Sequence, residues 1–405
     1  FLTGDDLTLT GSASLASGTG RIIISHANSE STAGKIVLGD SSTTTCSTFC
    51  SMLISTSELA KMSGSELVIG GLRDDGSNSE DAQNSTATNG DIYVNALTTA
   101  NTSGFTNGVQ LNVNAHLSGS KGAIIFEGSA STFSALTANA VDGIEVNSDL
   151  TTTTGALSLD GDSDSTVDTL SGNDNILFAS GTTLTSAGNI TLSAASGGMV
   201  TAGDLTLSAP SSITMTGTMS GTGDISLSAS NGITLNNGIS TSSGSLNINA
   251  NSSTLTLGSG ATFSSTNALT LAASSTTSSG DLTLTSSAST ISVNNALVSA
   301  GAVTMTASTG LTLSNSTLTG AGNISLQGGS SLSLASGMTI TSSAGNITLG
   351  ASGGTITANG ALTLSSNGSI TVSNTLNAAG AATLYANSGI TLGNSFTANG
   401  AVTLD

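Results

Sequence analysis

The sequence predicts an all-β fold, a parallel β-solenoid (β-helix) of roughly 16–20 turns. A phrase of the form Gly-polar-apolar-Thr/Ser-apolar recurs along the 405 residues, as in AGNITL at 187–192 and again at 344–349. Within it the apolar residues alternate at period two, so Ile190 and Leu192 share one side of a strand and Thr191 takes the other. The composition is unlike that of a typical globular domain. Charged residues make up 7% and aromatic residues 2%, Trp is absent and Pro210 is the single proline, where about a quarter charged is usual. Disordered chains are poor in β-branched residues, whereas this one keeps Ile, Val, Leu and Thr at regular places between Gly, Ser and Asn, which are turn residues.

The strand phrases come in order. In the first half they are irregular: DDLTL ending at Leu9, GRIII at Ile24, GKIVL at Leu38, SELVI at Ile69, GDIYV at Val94, VQLNV at Val113, GAIIF at Phe126 and GALSL at Leu159. Residues 1–187 therefore read as irregular coils, with loop excursions at 39–66 and 70–90. Residues 188–405 are regular. There the phrase ends at Leu192, Leu207, Leu227, Ile248, Leu271, Leu284, Met305, Leu326, Leu349, Leu364, Leu384 and Leu404. The gaps run short, medium, medium, long, and then repeat: Leu192 to Leu271 is 79 residues and Leu271 to Leu349 is 78. This is a super-repeat of about 78 residues in one continuous array over 1–405, and no domain boundary is expected. The chain starts and stops within strand-like phrases, without an initiator Met or a signal-peptide pattern, and reads as an uncapped fragment of something longer.

Between these anchors lies a second phrase, such as GITL from Gly232, STISV from Ser289, GLTL from Gly310 and GSITV from Gly368. Each unit thus offers two or three strands of three to five residues. One such strand cannot bury its apolar side alone, but stacked units give every apolar residue a neighbour above and below. Asn recurs two residues past the second phrase, at Asn237, Asn295, Asn315, Asn374 and Asn394. This spacing predicts an amide ladder at a corner of left-handed backbone.

The phrasing GNITL-x-A-x-x-GITL, about 20 residues long, resembles the repeat region of filamentous haemagglutinin-type adhesins, which are secreted by two-partner or autotransporter-like routes. The resemblance covers 188–405 well and the first half loosely. It implies a right-handed parallel β-helix, an extracellular location at the cell surface, and a role in adhesion or fibre formation. The implied partners are a host or neighbouring cell surface, glycans, or other copies of the chain.

Charge narrows the function classes. The net charge is −19, and all the basic residues (Arg21, His26, Lys35, Lys61, Arg73, His116, Lys121) lie in the first 121 positions. Nucleic acid and anionic membrane surfaces need a basic footprint, and no apolar run approaches the roughly 20 residues of a membrane span. An enzyme is not expected. β-Helices do house carbohydrate-active enzymes, which are the alternative reading, but beyond Lys121 there is no basic residue to take a proton, and acids such as Asp204, Asp224 and Asp281 sit singly at turn positions.

Three further features are candidate sites. Cys46 and Cys50, separated by Ser-Thr-Phe in a Ser/Thr-rich stretch, read as a local disulfide of an oxidising compartment or as two plain thiols. The segment DGDSDSTVDTLSGND holds Asp160, Asp162, Asp164, Asp168 and Asp174 in an insertion of about ten residues, the first four being the candidate ligands. Acids at positions one, three and five present oxygens as a calcium loop does, although Ser165 and Ser171 stand where its Gly and Glu would be. The readings are a calcium site or a solvated loop. The Thr/Ser slot of the phrase (Thr191, Thr206, Ser226, Thr270, Thr283, Thr304, Ser325, Thr348, Thr363, Thr383, Thr403) reads as one outward row, either a soluble β-surface or an ice-binding face. Of eight Asn-x-Ser/Thr sequons, at Asn84, Asn101, Asn189, Asn251, Asn315, Asn323, Asn346 and Asn367, several simply restate the GNIT/S repeat and are weak evidence for glycosylation.

Overall fold

A computed structural model describes residues 1–4, 6–26, 35–39, 50–70, 90–113, 122–165 and 174–405, and the side chains of these except Cys50 and Ser51. The chain is a parallel β-solenoid of about 17 turns with almost no helix. It divides into two compact units, Phe1–Thr218 and Met219–Asp405. From strand Ile124–Glu127 onward, successive strands visit three faces in strict rotation, so the faces can be numbered in chain order. Strand Leu136–Ala140 lies on the first, Ile144–Val146 on the second and Leu150–Thr152 on the third.

The second unit is the regular one, with nine strands on each face. Its pairing is parallel and in register. Ile324 pairs with Ile347 and Leu326 with Leu349 on the second face, while Ser325 pairs with Thr348 between them. Period-two alternation sends the Ile and Leu inward, where all four are 0–1% exposed, and leaves the hydroxyls outside. Each inward Leu or Ile so buried contributes about 1.5–3 kcal/mol against the exposed state. Like residues stack on like, turn after turn. Phe263 fits the same inward column, between Ile239 and Leu284.

The first unit starts differently. On its first face, strands Leu2–Gly4, Arg21–His26, Glu66–Ile69, Val109–Val113 and Leu136–Ala140 stack in chain order. On its second face the order reverses once. Strand Cys50–Ile54 pairs in parallel outside Lys35–Gly39, which in turn pairs with Ile92–Asn95. A later strand has therefore folded back to form the outer edge of that sheet. Two single helical turns, Thr56–Leu59 and Thr99–Thr102, replace regular strand where the third face would run.

The structure changes the meaning of the super-repeat. Phrase strands ending at Leu227, Ile248 and Leu271 lie on the third face, and those ending at Leu284, Met305, Leu326 and Leu349 on the second. Those ending at Leu364, Leu384 and Leu404 lie on the first. From Leu271 to Leu349 is eleven strands, or three and two-thirds turns. The short gaps are two-thirds of a turn and the longer ones whole turns. The two AGNITL copies accordingly occupy different faces, the first (Ile190–Ser193) and the second (Ile347–Ala351). The expected single Thr/Ser row is thus divided among three faces.

Candidate functional site

The corners show what the polar letters of the phrase do. A buried hydroxyl closes many strands: Ser286 Oγ donates to Asn267 O at 2.7 Å, Ser299 Oγ to Gly280 O at 2.7 Å and Ser342 Oγ to Gly322 O at 2.8 Å. Each donation ties its turn to the preceding one, and the same oxygen accepts an N–H from its own corner, as from Gly345 N to Ser342 Oγ at 3.0 Å. A hydroxyl so committed satisfies groups that would cost about 1–3 kcal/mol each if buried without partners. The Asn or Asp after the phrase's Gly reaches the other way. Asn323 Oδ1 accepts from Asn346 N at 2.9 Å, Asn346 Oδ1 from Ser369 N at 2.8 Å, Asp224 Oδ1 from Ser245 N at 2.7 Å and Asp281 Oδ1 from Ala302 N at 2.7 Å. The turn acids Asp224 and Asp281 are exposed, yet they are structural acceptors for the next rung. The same acceptor role engages three sequon asparagines, the third being Asn189, which takes Ser212 N at 3.3 Å.

The predicted Asn ladder takes another form. Asn315 Nδ2 donates to Asn295 O, Asn394 Nδ2 to Ser373 O at 3.0 Å, and Asn374 Oδ1 accepts Ala351 N at 2.8 Å. These amides bond mainly to backbone, and none of the five has positive φ; among the described asparagines only Asn251 does, at 49°. Amide-on-amide contact occurs elsewhere, from Asn139 Nδ2 to Asn112 Oδ1 at 2.9 Å.

The acid insertion is described up to Ser165. Asp160 is half-buried, Asp162 is 2% exposed and Asp164 lies at the surface. Asp160 Oδ1 accepts Asp162 N at 3.3 Å, and Asp162 Oδ2 accepts Ser196 N from the next turn at 2.6 Å, which leaves Asp162 Oδ1 without a hydrogen-bond donor. Among the described residues no group of three or more His, Cys, Asp or Glu gathers to hold a metal. Asp168 lies outside the described residues. Cys46 and the side chain of Cys50 lie outside them as well.

The first unit carries a charged cluster that the sequence did not announce. Lys35 Nζ lies 3.5 Å from Asp91 Oδ2, donates to Tyr93 Oη at 3.3 Å, and sits 5.4 Å above the Tyr93 ring. Asp91 is 1% exposed and also accepts Ala123 N at 3.3 Å. Around it, Val37, Tyr93 and Ile125 stand in register on the outward side of the second face, with Leu53 beside them. Lys35 and Asp91 are 56 positions apart, and only the stacking of turns brings them together. On the first face, burial pushes the Glu66 carboxyl above its ordinary value and the Arg21 guanidinium, 3.3 Å away, partly offsets this.

Compared with known protein families, curated proteins and solved structures, the chain matches none.

Proposed function

We propose that this chain is the stalk of a secreted, cell-surface fibre or adhesin, with the second unit as spacer and the first as the contact region. The observation that carries this reading is the monotony of the second unit. Met219–Asp405 holds three charged residues, Asp224, Asp281 and Asp405, and repeats one cross-section nine times, with many corner groups bonded to the neighbouring rung. Such a unit supplies length and stiffness. Recognition usually sits on loops carried by a rigid scaffold, and the excursions, the basic residues and the Lys35–Asp91–Tyr93 cluster all fall in the first unit. The proposed partners are cell surfaces, glycans or further copies, without an enzymatic role. Beads coated with the chain should attach to cells or glycan surfaces. Replacing 71–89 by a short Gly/Ser linker should lower attachment about tenfold, roughly 1.4 kcal/mol, with the β-sheet circular dichroism signal unchanged. Attachment that survives this change, or that no surface supports, defeats the reading.

A second reading, ice binding, is favoured by one specific observation. On the first face of the second unit, Thr317, Thr339 and Thr363 form one outward column in register and Thr319, Thr341 and Ser365 the next. Thr254/Thr256 and Ser275/Thr277 repeat the pair. The two columns are broken at Ala296/Val298, where Val298 is exposed, and the second slot is Tyr385 beyond Ser365, so the hydroxyl face runs in two short stretches. The rungs lie about 4.8 Å apart, a spacing comparable to that of surface water in ice. This reading predicts measurable thermal hysteresis, abolished by Thr339→Lys and kept by Thr312→Lys on the third face. Wild-type chain without hysteresis removes it.

A further inference from the structure

Among the described residues, the fold-back strand Cys50–Ile54 is the outer strand of the second-face sheet in the first unit, pairing with Lys35–Gly39 on one side only. Outer strands offer unpaired N–H and C=O groups to any passing strand. Here the Leu53 N–H is taken by a side chain, Asp6 Oδ1 at 3.4 Å. Three residues on, Leu9 is held at both backbone groups. Its N–H donates to Glu58 Oε1 at 3.1 Å, and its carbonyl accepts from Lys61 Nζ at 2.7 Å. Glu58 is itself fixed as the partner of a capping box, its Oε2 accepting Ser55 N at 2.9 Å and Ser55 Oγ at 2.7 Å.

We infer that residues 6–9 form a strap, clamped by Glu58 and Lys61, that guards the outer edge of strand Cys50–Ile54 against strand addition by a second copy of this chain. The strap has no strand structure of its own, so it blocks the edge without extending the sheet. A second copy is the fitting partner because its phrase strands share the alternation and the parallel, in-register pairing that this sheet already accepts. The inference is independent of the adhesive reading.

The charged groups that hold Glu58 set the pH range of the clamp. Burial pushes its carboxyl up. Hydrogen bonds from Ser55 backbone and side chain and from Leu9, with the Lys61 charge, more than offset this and leave it below the ordinary 4.5. The other charged group on the strap is Asp6, engaged with Leu53. A carboxyl with a lowered folded value contributes stability above its unfolded value and loses it as pH falls through the folded one. The clamp is therefore closed at neutral pH and opens only below about pH 4.5.

Hydrogen exchange at the Leu9 and Leu53 amides, with light scattering of the full chain, tests this. Glu58→Gln and Glu58→Gln/Lys61→Met should speed exchange at both amides about tenfold or more at pH 7, and the chains should associate as concentration rises. Adding Leu53→Pro, which removes an N–H that the sheet does not use, should return them to monomer. Wild type should show the same loss of protection on acidification below pH 4.5. Unchanged exchange overturns the clamp, and faster exchange in chains that stay monomeric overturns the guarded edge.

Discussion

Leu326→Asp is expected to unfold the second unit, while Ser325→Asp next to it leaves the melting transition nearly unchanged. Leu326 is 0% exposed and is stacked in register between Met305 and Leu349. A carboxylate there is surrounded by aliphatic carbon on its own rung and on both neighbours. No Lys or Arg follows Lys121 to pair with it. Burial of an unpaired charge is among the few mechanisms that exceed about 4 kcal/mol. Ser325 faces solvent on the same strand, where a substitution costs within about 0.5 kcal/mol. Thermal melts followed by circular dichroism separate the two outcomes. Similar losses from both substitutions would mean that the alternation does not set the two sides of this strand.

The second large effect is expected at Gly354. A Cβ there would lie 1.6 Å from Ser330 O and 2.4 Å from Ser330 C, both backbone atoms of the preceding turn. Neither can move without breaking the rung, so Gly354→Ala should cost about 3 kcal/mol or more. Gly337 makes the contrast. A Cβ there meets nothing within 4 Å, but its φ of +73° is left-handed, and Gly337→Ala should cost about 1–2 kcal/mol from backbone strain alone. Urea midpoints of the two variants would rank them. If Gly337→Ala proves the more damaging, close stacking of turns is not what selects glycine at these corners.

The parts of this fold that were legible in the sequence are those set within one strand or one corner. Alternation at Ile190, Thr191 and Leu192 is a local property, so inward and outward sides could be read directly. The face on which a strand lies is not local. Any of the three faces accepts the same phrase, because each needs only two inward aliphatics and a close-packed corner. AGNITL therefore carries no label for its face, and the Thr/Ser positions read as one row. The trace of this lay in the gaps, where 13–15 residues is two-thirds of a turn of about 21. Contacts made between turns were hidden for the same reason. Lys35 meets Asp91 and Tyr93 only through stacking, and Asp6 meets Leu53 only because one strand folds back. The asparagine spacing predicts amides that partner each other, yet a backbone carbonyl or amide one turn away takes the side chains of Asn315, Asn374 and Asn394.

Engineered cross-links test the change of face most directly. With Cys46 and Cys50 replaced by Ser, one chain would carry Thr270→Cys and Ser292→Cys, and another Thr270→Cys and Thr283→Cys. The structure pairs Thr270 with Ser292 on adjacent rungs of the third face, whereas Thr283, the next copy of the phrase in sequence, lies on the second face. In-register neighbours about 4.8 Å apart fall within the reach of a disulfide. Oxidation should therefore close the first pair and leave the second open. Closure of the 270/283 pair in place of 270/292 would contradict the account, because each phrase would then stack on the next one in sequence.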